Sequence, residues 1–383
     1  CKKMIASKRL DHIKEYYFSR KLREVGKLIA EGKPVINLGI GSPDLTAPKS
    51  VEAALVKSMN LDGVHKYQSY QGIPELRKAI ASFYEKQYNV KLDGINEVLP
   101  LLGSKEGIMH ISMAFLNAGD KVLIPNPGYP TYTSVTNLVG AQPVFYDLDA
   151  SLNWLPDLKA LEAMDLNEVK LMWLCYPHMP TGAKASYEDL KHIVDFAKRH
   201  NILLVNDNPY SFILNDNPLS ILSVEGAKEV ALELNSLSKS FNMAGWRVGM
   251  VCGKSEFISN VLKVKSNMDS GMFLGLQKGA IEALNLDQEW FSSLNAIYEK
   301  RRKLVYKLAE KLGCDCSLNT SGLFVWAKIR ADINSEEFID KLLYEHSIFI
   351  TPGTVFGSKG EGYVRFSLCA SEELINKAIE RVS

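Results

Sequence analysis

No hydrophobic run in this chain of 383 residues approaches the ~20 residues that a membrane span needs. Cysteine is scarce and scattered: six residues, at 1, 175, 252, 314, 316 and 369. That spread excludes the disulfide framework of small secreted domains and fits reduced thiols. Cys314-Asp-Cys316 has no second ligand pair at zinc spacing, and the seven histidines form no His-x-x-x-His pattern, so no metal is expected. Charge of one sign is also missing. Forty-five Lys and Arg stand against 44 Asp and Glu, a formal net charge of +1, which gives no electrostatic reason to expect nucleic acid or an anionic membrane as partner. There is no internal repeat, no low-complexity segment and no basic-then-apolar leader. The expectation is a cytoplasmic globular protein long enough for two domains.

What is present is alternation. Residues 121–125, 143–148, 169–176, 202–206, 230–234 and 248–252 read as short apolar strands, with helical stretches between several of them. The clearest helix is 186–200, where Tyr187, Leu190, Ile193, Val194 and Ala197 recur at helical spacing. Such a pattern predicts an α/β fold with a mostly parallel sheet covered by helices on both faces, and ligands at the carboxyl ends of its strands. From about 287 the pattern changes to a long helix, a strand at 323–329, a helix at 335–346, short strands at 348–351 and 363–368, and a terminal helix. That part reads as a smaller α+β domain, with the N-terminal segment packed on it. The predicted division is 46–280 for the large domain, and 1–45 with 281–383 for the small one.

The most informative segment is Ser236-Leu-Ser-Lys239-Ser-Phe-Asn-Met-Ala-Gly-Trp-Arg247. A lysine amine forms Schiff bases with carbonyl compounds, and a serine with an arginine can hold a phosphate dianion. Pyridoxal 5′-phosphate (PLP) carries both an aldehyde and a phosphate. Taken alone, Lys239 is more often a solvated lysine. The rest of the chain reverses those odds. Asp207 ends a predicted strand, where a carboxylate could keep a pyridine nitrogen protonated, and Tyr210 follows three residues later. Leu102-Gly103-Ser104-Lys105-Glu106-Gly107 opens an apolar helical stretch, whose free N–H groups and dipole suit a phosphate. Pro127-Gly128-Tyr129-Pro130 sets an aromatic ring at a strand end, and Arg365 alternates with Val364 and Phe366, so its guanidinium could grip a carboxylate.

Together these segments resemble the fold-type I PLP enzymes, specifically the class I/II, aspartate-aminotransferase-like aminotransferases. The likeness runs from about residue 35 to 370. It includes Gly39-Ile-Gly41-Ser-Pro-Asp44, His65-Lys-Tyr67 with Gly72 and Leu76-Arg77, Gly103-Ser-Lys105, Pro127-Gly-Tyr129-Pro, Pro180-Thr-Gly182, Asp207-x-x-Tyr210, Ser236-x-x-Lys239, Arg247 and Arg365. The wording is similar to the branch holding LL-diaminopimelate and prokaryotic aspartate aminotransferases. The resemblance implies a PLP-transferase-like three-layer domain and transfer of an amino group from an L-amino acid to a 2-oxo acid. Lys239 would hold PLP as a Schiff base and then move the substrate proton. Asp207 would pair with the pyridinium and Tyr210 would donate to the phenolic oxygen. Tyr129 would stack on the ring, and Ser236, Arg247, Ser104 and Lys105 would bind the phosphate. Tyr67 would reach the phosphate of a neighbouring subunit, which implies a homodimer with shared sites. Gly41 and Arg365 would hold the substrate carboxylate, and Tyr16 would line the substrate pocket.

One departure stands out. Where the family usually has an asparagine donating to the phenolic oxygen, this chain has Met179, and a thioether cannot replace an amide N–H. Either His178 takes that place or Tyr210 serves alone. Lys105 could meet a distal carboxylate, which leans the expectation toward acidic donors such as aspartate, glutamate or diaminopimelate. The alternatives are a C–S lyase, although Gly182-Ala-Lys-Ala lacks the Arg-x-Trp ending those enzymes resemble, and a non-enzymatic PLP-binding protein.

Overall fold

The computed structural model describes residues 6–11 and 17–383. In chain order its strands are β1 (Ile36–Asn37), β2 (Val98–Leu101), β3 (Lys121–Asn126), β4 (Gln142–Asp147), β5 (Val169–Leu174), β6 (Leu203–Asp207), β7 (Ala231–Ser236), β8 (Gly249–Gly253), β9 (Cys314–Cys316), β10 (Phe324–Ile329), β11 (Ile348–Phe349), β12 (Thr351–Pro352) and β13 (Tyr363–Ser367). Seven of them form one sheet in the order β2-β8-β7-β6-β5-β3-β4. The pairs β3–β4, β3–β5, β5–β6 and β6–β7 are parallel, whereas β8 runs antiparallel to both β7 and β2. Every residue of β7 is buried, as expected for a strand covered on both faces.

The six expected central strands all form, with ends shifted by a residue or two. β2 escaped notice because it has four residues and contains Pro100. Proline lacks the N–H that an inner strand needs, and β2 is tolerated because it lies at the sheet edge. The helix Tyr187–His200 begins where the sequence indicates. Ser186 and Asp189 form a reciprocal capping box, and Asn201 stops the helix in the left-handed conformation.

A second, antiparallel sheet in the order β12-β13-β10-β9 packs with the helix Gln288–Lys311 and the helix Glu372–Arg381. This is the predicted smaller α+β unit. Its core includes Trp326, fully buried and stacked on Tyr363 at 5.1 Å. The N-terminal segment joins this unit through a parallel pair, β1 with β11. Downstream of β1, the N–H of Ser367 donates to Leu38 O at 2.7 Å, and Thr351 Oγ1 donates to Gly39 O at 3.0 Å. Those bonds fix the stretch that carries Gly41. A further tie is ionic. Arg301, 3% exposed, donates to Asp44 through Nη1 at 2.6 Å and Nη2 at 2.9 Å, and to Leu368 O at 3.0 Å.

Replacing Arg301 by Met removes the bidentate partner of Asp44 and strands the Leu368 carbonyl. Loss of one partner from a fully buried pair costs about 3–5 kcal/mol; with the Asp44 side chain 31% exposed, we expect about 2–3 kcal/mol in urea unfolding. An unfolding midpoint equal to wild type means that the pair is screened and holds nothing.

Candidate active site

The carboxyl ends of β6 and β7, the start of the helix Ser104–Phe115 and one face of β13 enclose a cavity of about 560 Å³. Gly41, Ser104, Lys105, Tyr129, Met179, Asp207, Tyr210, Ser236, Lys239, Arg247 and Arg365 all line it. Residues singled out from distant parts of the sequence thus meet in one place. Tyr67 is not among the lining residues and is 90% exposed. Tyr16 lies outside the described residues.

Lys239 sits in the short helix Leu237–Ser240 that follows β7, with Ser236 as its cap, accepting from Ser238 N at 3.1 Å. Its Nζ donates to Gly41 O at 2.5 Å. Gly41 is required there, because a Cβ would collide with the ring of Phe324. Burial lowers the pKa of Lys239, and the guanidinium groups of Arg365 and Arg247 lower it further, against Cys369 and Asp207, which raise it. A lysine held this way is a better nucleophile than a solvated one.

Asp207 closes β6, fully desolvated. Tyr132 donates to its Oδ2 at 2.9 Å, whereas Oδ1 is buried without a hydrogen-bond partner. Burial pushes the carboxyl up to about 6; the Tyr132 bond opposes this shift and Glu233 adds to it. Tyr132 is itself wholly buried and stacked on Trp173 at 4.8 Å and 4°. Sequence reasoning missed Tyr132. It lies three residues past Tyr129, inside the helix Pro130–Leu138, and nothing in its local pattern separates it from a core aromatic. Tyr210 is buried too, with its phenol pushed well above the ordinary range by desolvation.

The anion cradle has a clear steric signature. Gly103 has φ +91°, and a Cβ there would overlap the Arg247 guanidinium. Across the turn, a Cβ on Gly249 would come within 2.6 Å of Ser104 N. Helix N–H groups, Ser236 Oγ with Ser238 Oγ 2.9 Å away, and the Arg247 guanidinium therefore converge. Arg247 adopts the left-handed conformation at φ +56° and donates Nη1 to Ala244 O at 2.9 Å. Ser238 was not singled out from the sequence, although it lies between two residues that were.

Arg365 is buried. Its Nη2 donates to Gly39 O at 2.9 Å, its Nη1 approaches Met179 Sδ at 3.3 Å, and its Cζ lies 3.8 Å from the centroid of the Phe324 ring and 4.7 Å from that of Phe356. It does not face solvent. His178 does not line the cavity. Its Nδ1 is 2.7 Å from Thr181 Oγ1, and burial holds its pKa down to about 3. Of the two residues considered in place of the missing asparagine, Tyr210 lines the cavity and His178 does not.

These residues fit pyridoxal 5′-phosphate. The lining of one cavity includes a carboxylate with an oxygen that lacks a donor, an amine with a lowered pKa, and a cradle kept open by glycines.

Comparison with known proteins agrees. Residues 33–382 match the model of the family described as aminotransferase class I and II. An LL-diaminopimelate aminotransferase of Dehalococcoides mccartyi (strain 195) is 40% identical over 382 residues, covering 99% of this chain and 98% of the relative. The enzyme of that name from Aquifex aeolicus is 40% identical over 378 residues, covering 98% of each. Among solved structures, substrate-bound BacF from Bacillus subtilis superposes with a TM-score of 0.94 at 35% identity, over 99% of this chain and 97% of that one. The chain belongs to the class I and II aminotransferases, PLP enzymes that move an amino group between an amino acid and a 2-oxo acid.

Proposed function

We propose that Lys239 is the residue that carries the cofactor and moves the substrate proton. The observation behind this reading is its position: a desolvated amine in the same cavity as the unpartnered Oδ1 of Asp207. When bound, PLP supplies an aldehyde for amine exchange and a ring that accepts electrons. Asp207 Oδ1 receives the pyridine N–H and Tyr132 holds the other oxygen. Tyr210 donates to the phenolic oxygen, with Met179 beside it offering no N–H, and Tyr129 covers the ring. Ser104, Lys105, Ser236 and Arg247 bind the phosphate through N–H groups, hydroxyl and guanidinium. Arg365 takes the substrate α-carboxylate, with Gly41 backing it. Lys239 would then move the proton between the substrate Cα and the carbon that carries the cofactor's aldehyde, and burial, which lowers its pKa, favours the uncharged amine that this needs.

Lys105 supports a preference for acidic donors. Its backbone begins the cradle helix, while its side chain is exposed at the cavity edge, in reach of a second carboxylate. The name of the two relatives points the same way, since diaminopimelate carries two carboxylates. Homodimerisation is part of the reading: Tyr67, 90% exposed, would complete the phosphate site of a second copy. The pairing of β1 with β11 supports the division into residues 46–280 and residues 1–45 with 281–383. Among the described residues no helix is long and apolar enough to cross a membrane. The five cysteines found there are free, and reduced thiols fit a cytoplasmic setting.

Three outcomes test these roles. Lys239→Ala should abolish multiple turnover, and borohydride reduction of the wild-type holoenzyme followed by peptide mapping should label Lys239. A label on Lys254, Lys263 or Lys265 would sink the assignment. Lys105→Gln should lower kcat/KM for aspartate, glutamate and diaminopimelate by about tenfold, with much smaller losses for alanine and methionine. Equal losses for all donors would refute the acidic preference.

The third outcome concerns pH. The folded pKa of Asp207 is raised from 3.8 to about 6, so between these values the folded chain keeps a proton that the unfolded chain has lost. Stability of the cofactor-free protein should therefore fall as pH rises through that window, by roughly 2–3 kcal/mol from this group. Asp207→Asn should flatten that part of the profile. If urea midpoints of wild type and variant run parallel from pH 4 to 7, Asp207 is ionised in the folded state.

A further inference from the structure

Beside the anion cradle lies a partly buried polar cluster that none of the roles above uses. Glu106 is in the first turn of the helix that Ser104 begins, and its Oε1 accepts the N–H of Leu102 at 2.7 Å, bracing the approach to Gly103. His110 follows one turn on, 2% exposed, with Nε2 3.6 Å from that oxygen. Asp269 closes the group, and donor atoms of Glu106, His110 and Asp269 lie within 4.8 Å of one another. Such a trio could ligate a metal. Here, however, Lys265, also 2% exposed, sets its ammonium 2.8 Å from Asp269 Oδ2. The cluster contains its own cation, and a divalent ion beside that ammonium would be repelled.

The ammonium has a second partner, which gives the cluster a direction. Lys265 Nζ donates to Tyr70 O at 2.9 Å. Asp269 Oδ1 accepts from Gly271 N at 2.9 Å, and Gly271 lies so close to Gln68 that a Cβ would overlap the Gln68 carbonyl. Residues 66–72 are thus anchored at two points on the Lys265–Asp269 pair and the turn after it. The exposed ring of Tyr67 projects from this segment. Tyr67 lies three positions before the Tyr70 anchor, at most about 10 Å of extended chain, so fixing Tyr70 limits the reach of Tyr67.

We propose that Lys265 is a positioning residue for Tyr67: the Lys265–Asp269 pair, packed beside Glu106 and His110, sets the tyrosine that one protomer presents to its partner's phosphate. This rests on the reading of Tyr67 given above. The cluster ties the cradle of a protomer, through Glu106 and Leu102, to the arm by which that protomer serves the other cradle. Cofactor retention, rather than proton transfer, is the quantity it controls.

The test uses full-length dimer, with PLP affinity from absorbance titration, kcat at saturating PLP, and mass from sedimentation. Lys265→Met should weaken PLP binding by at least about tenfold, the loss of a charged hydrogen-bond network, while kcat at saturating PLP stays within about twofold. Lys265→Arg should recover part of the loss. Tyr67→Phe should weaken PLP binding as well, and the double variant should be no weaker than the weaker single one. PLP affinity within about twofold of wild type in Lys265→Met overturns the proposal, as do additive losses in the double variant, which would leave Tyr67 serving the phosphate independently. A silent Tyr67→Phe removes the Tyr67 reading and the proposal with it. If Lys265→Met does not fold, Asp269→Asn is measured instead and must show the same non-additivity with Tyr67→Phe; additive losses there overturn the proposal equally.

Discussion

Burial of a carboxyl group at the end of β6 is the constraint around which the large sheet is arranged. Asp207 must be desolvated for its charge state to respond to a ligand, and an unpaired charge in that position would be costly. Tyr132 supplies one donor, and that phenol is held flat against Trp173, which β5 fixes in the next strand. A second buried acid, Glu233, sits on β7, where the register pairs it with Asn206. It accepts from Tyr84 OH at 3.1 Å, Asn206 Nδ2 at 3.2 Å and Ile221 N at 2.9 Å, so its polar atoms are satisfied while it raises the pKa of its neighbour. The sheet therefore carries a polar layer in its core, and most of that layer is fully bonded. Oδ1 of Asp207, a residue that lines the cavity, is left without a donor.

Close backbone approach is the second constraint. The cradle exists because the turn at Gly103, the start of β8 at Gly249 and the Arg247 guanidinium occupy space that side chains would fill. Gly41 does the same against Phe324 on the far wall, letting its carbonyl reach Lys239. Gly41, against Phe324 of the second sheet and bonded to Lys239, makes the N-terminal segment part of the cavity lining. That explains why the segment is tied so firmly, by Leu38 O, Thr351 and the Arg301–Asp44 pair, to a unit that contributes Arg365 from β13.

How much of this was readable beforehand depended on contrast. Lys239, Asp207 and Arg365 stand out because each is a charged residue at or within an apolar run, and such residues need a reason. Ser104, Lys105 and Tyr129 stand out through the glycines and prolines beside them. Tyr132, His110 and Lys265 gave no such contrast. An aromatic in a helix resembles core, and a lysine four residues before an aspartate resembles an ordinary helix-end ion pair. Only the fold shows that Lys265 is 2% exposed and bonded to Tyr70, 195 positions away. The short β2 and β9 were invisible for a related reason: three or four residues, one of them Pro100, carry too little periodicity to register against the strong alternation of the middle of the chain.

Met179 joins these constraints to chemistry. An asparagine at that place would be tied into the cofactor's phenolic oxygen through its N–H. The thioether instead lies against Arg365 Nη1 at 3.3 Å, while Phe324 and Phe356 hold the guanidinium from two sides and Gly39 O takes Nη2. Sulfur is a weak acceptor, so the Met179 contact constrains Arg365 less than the Gly39 bond does, and the arginine is already desolvated. His178 does not line the cavity, and its Nδ1 is turned to Thr181. With a thioether at position 179, the Arg365 guanidinium is held by Gly39 O and packed against two aromatic rings, so its orientation is set before any ligand arrives.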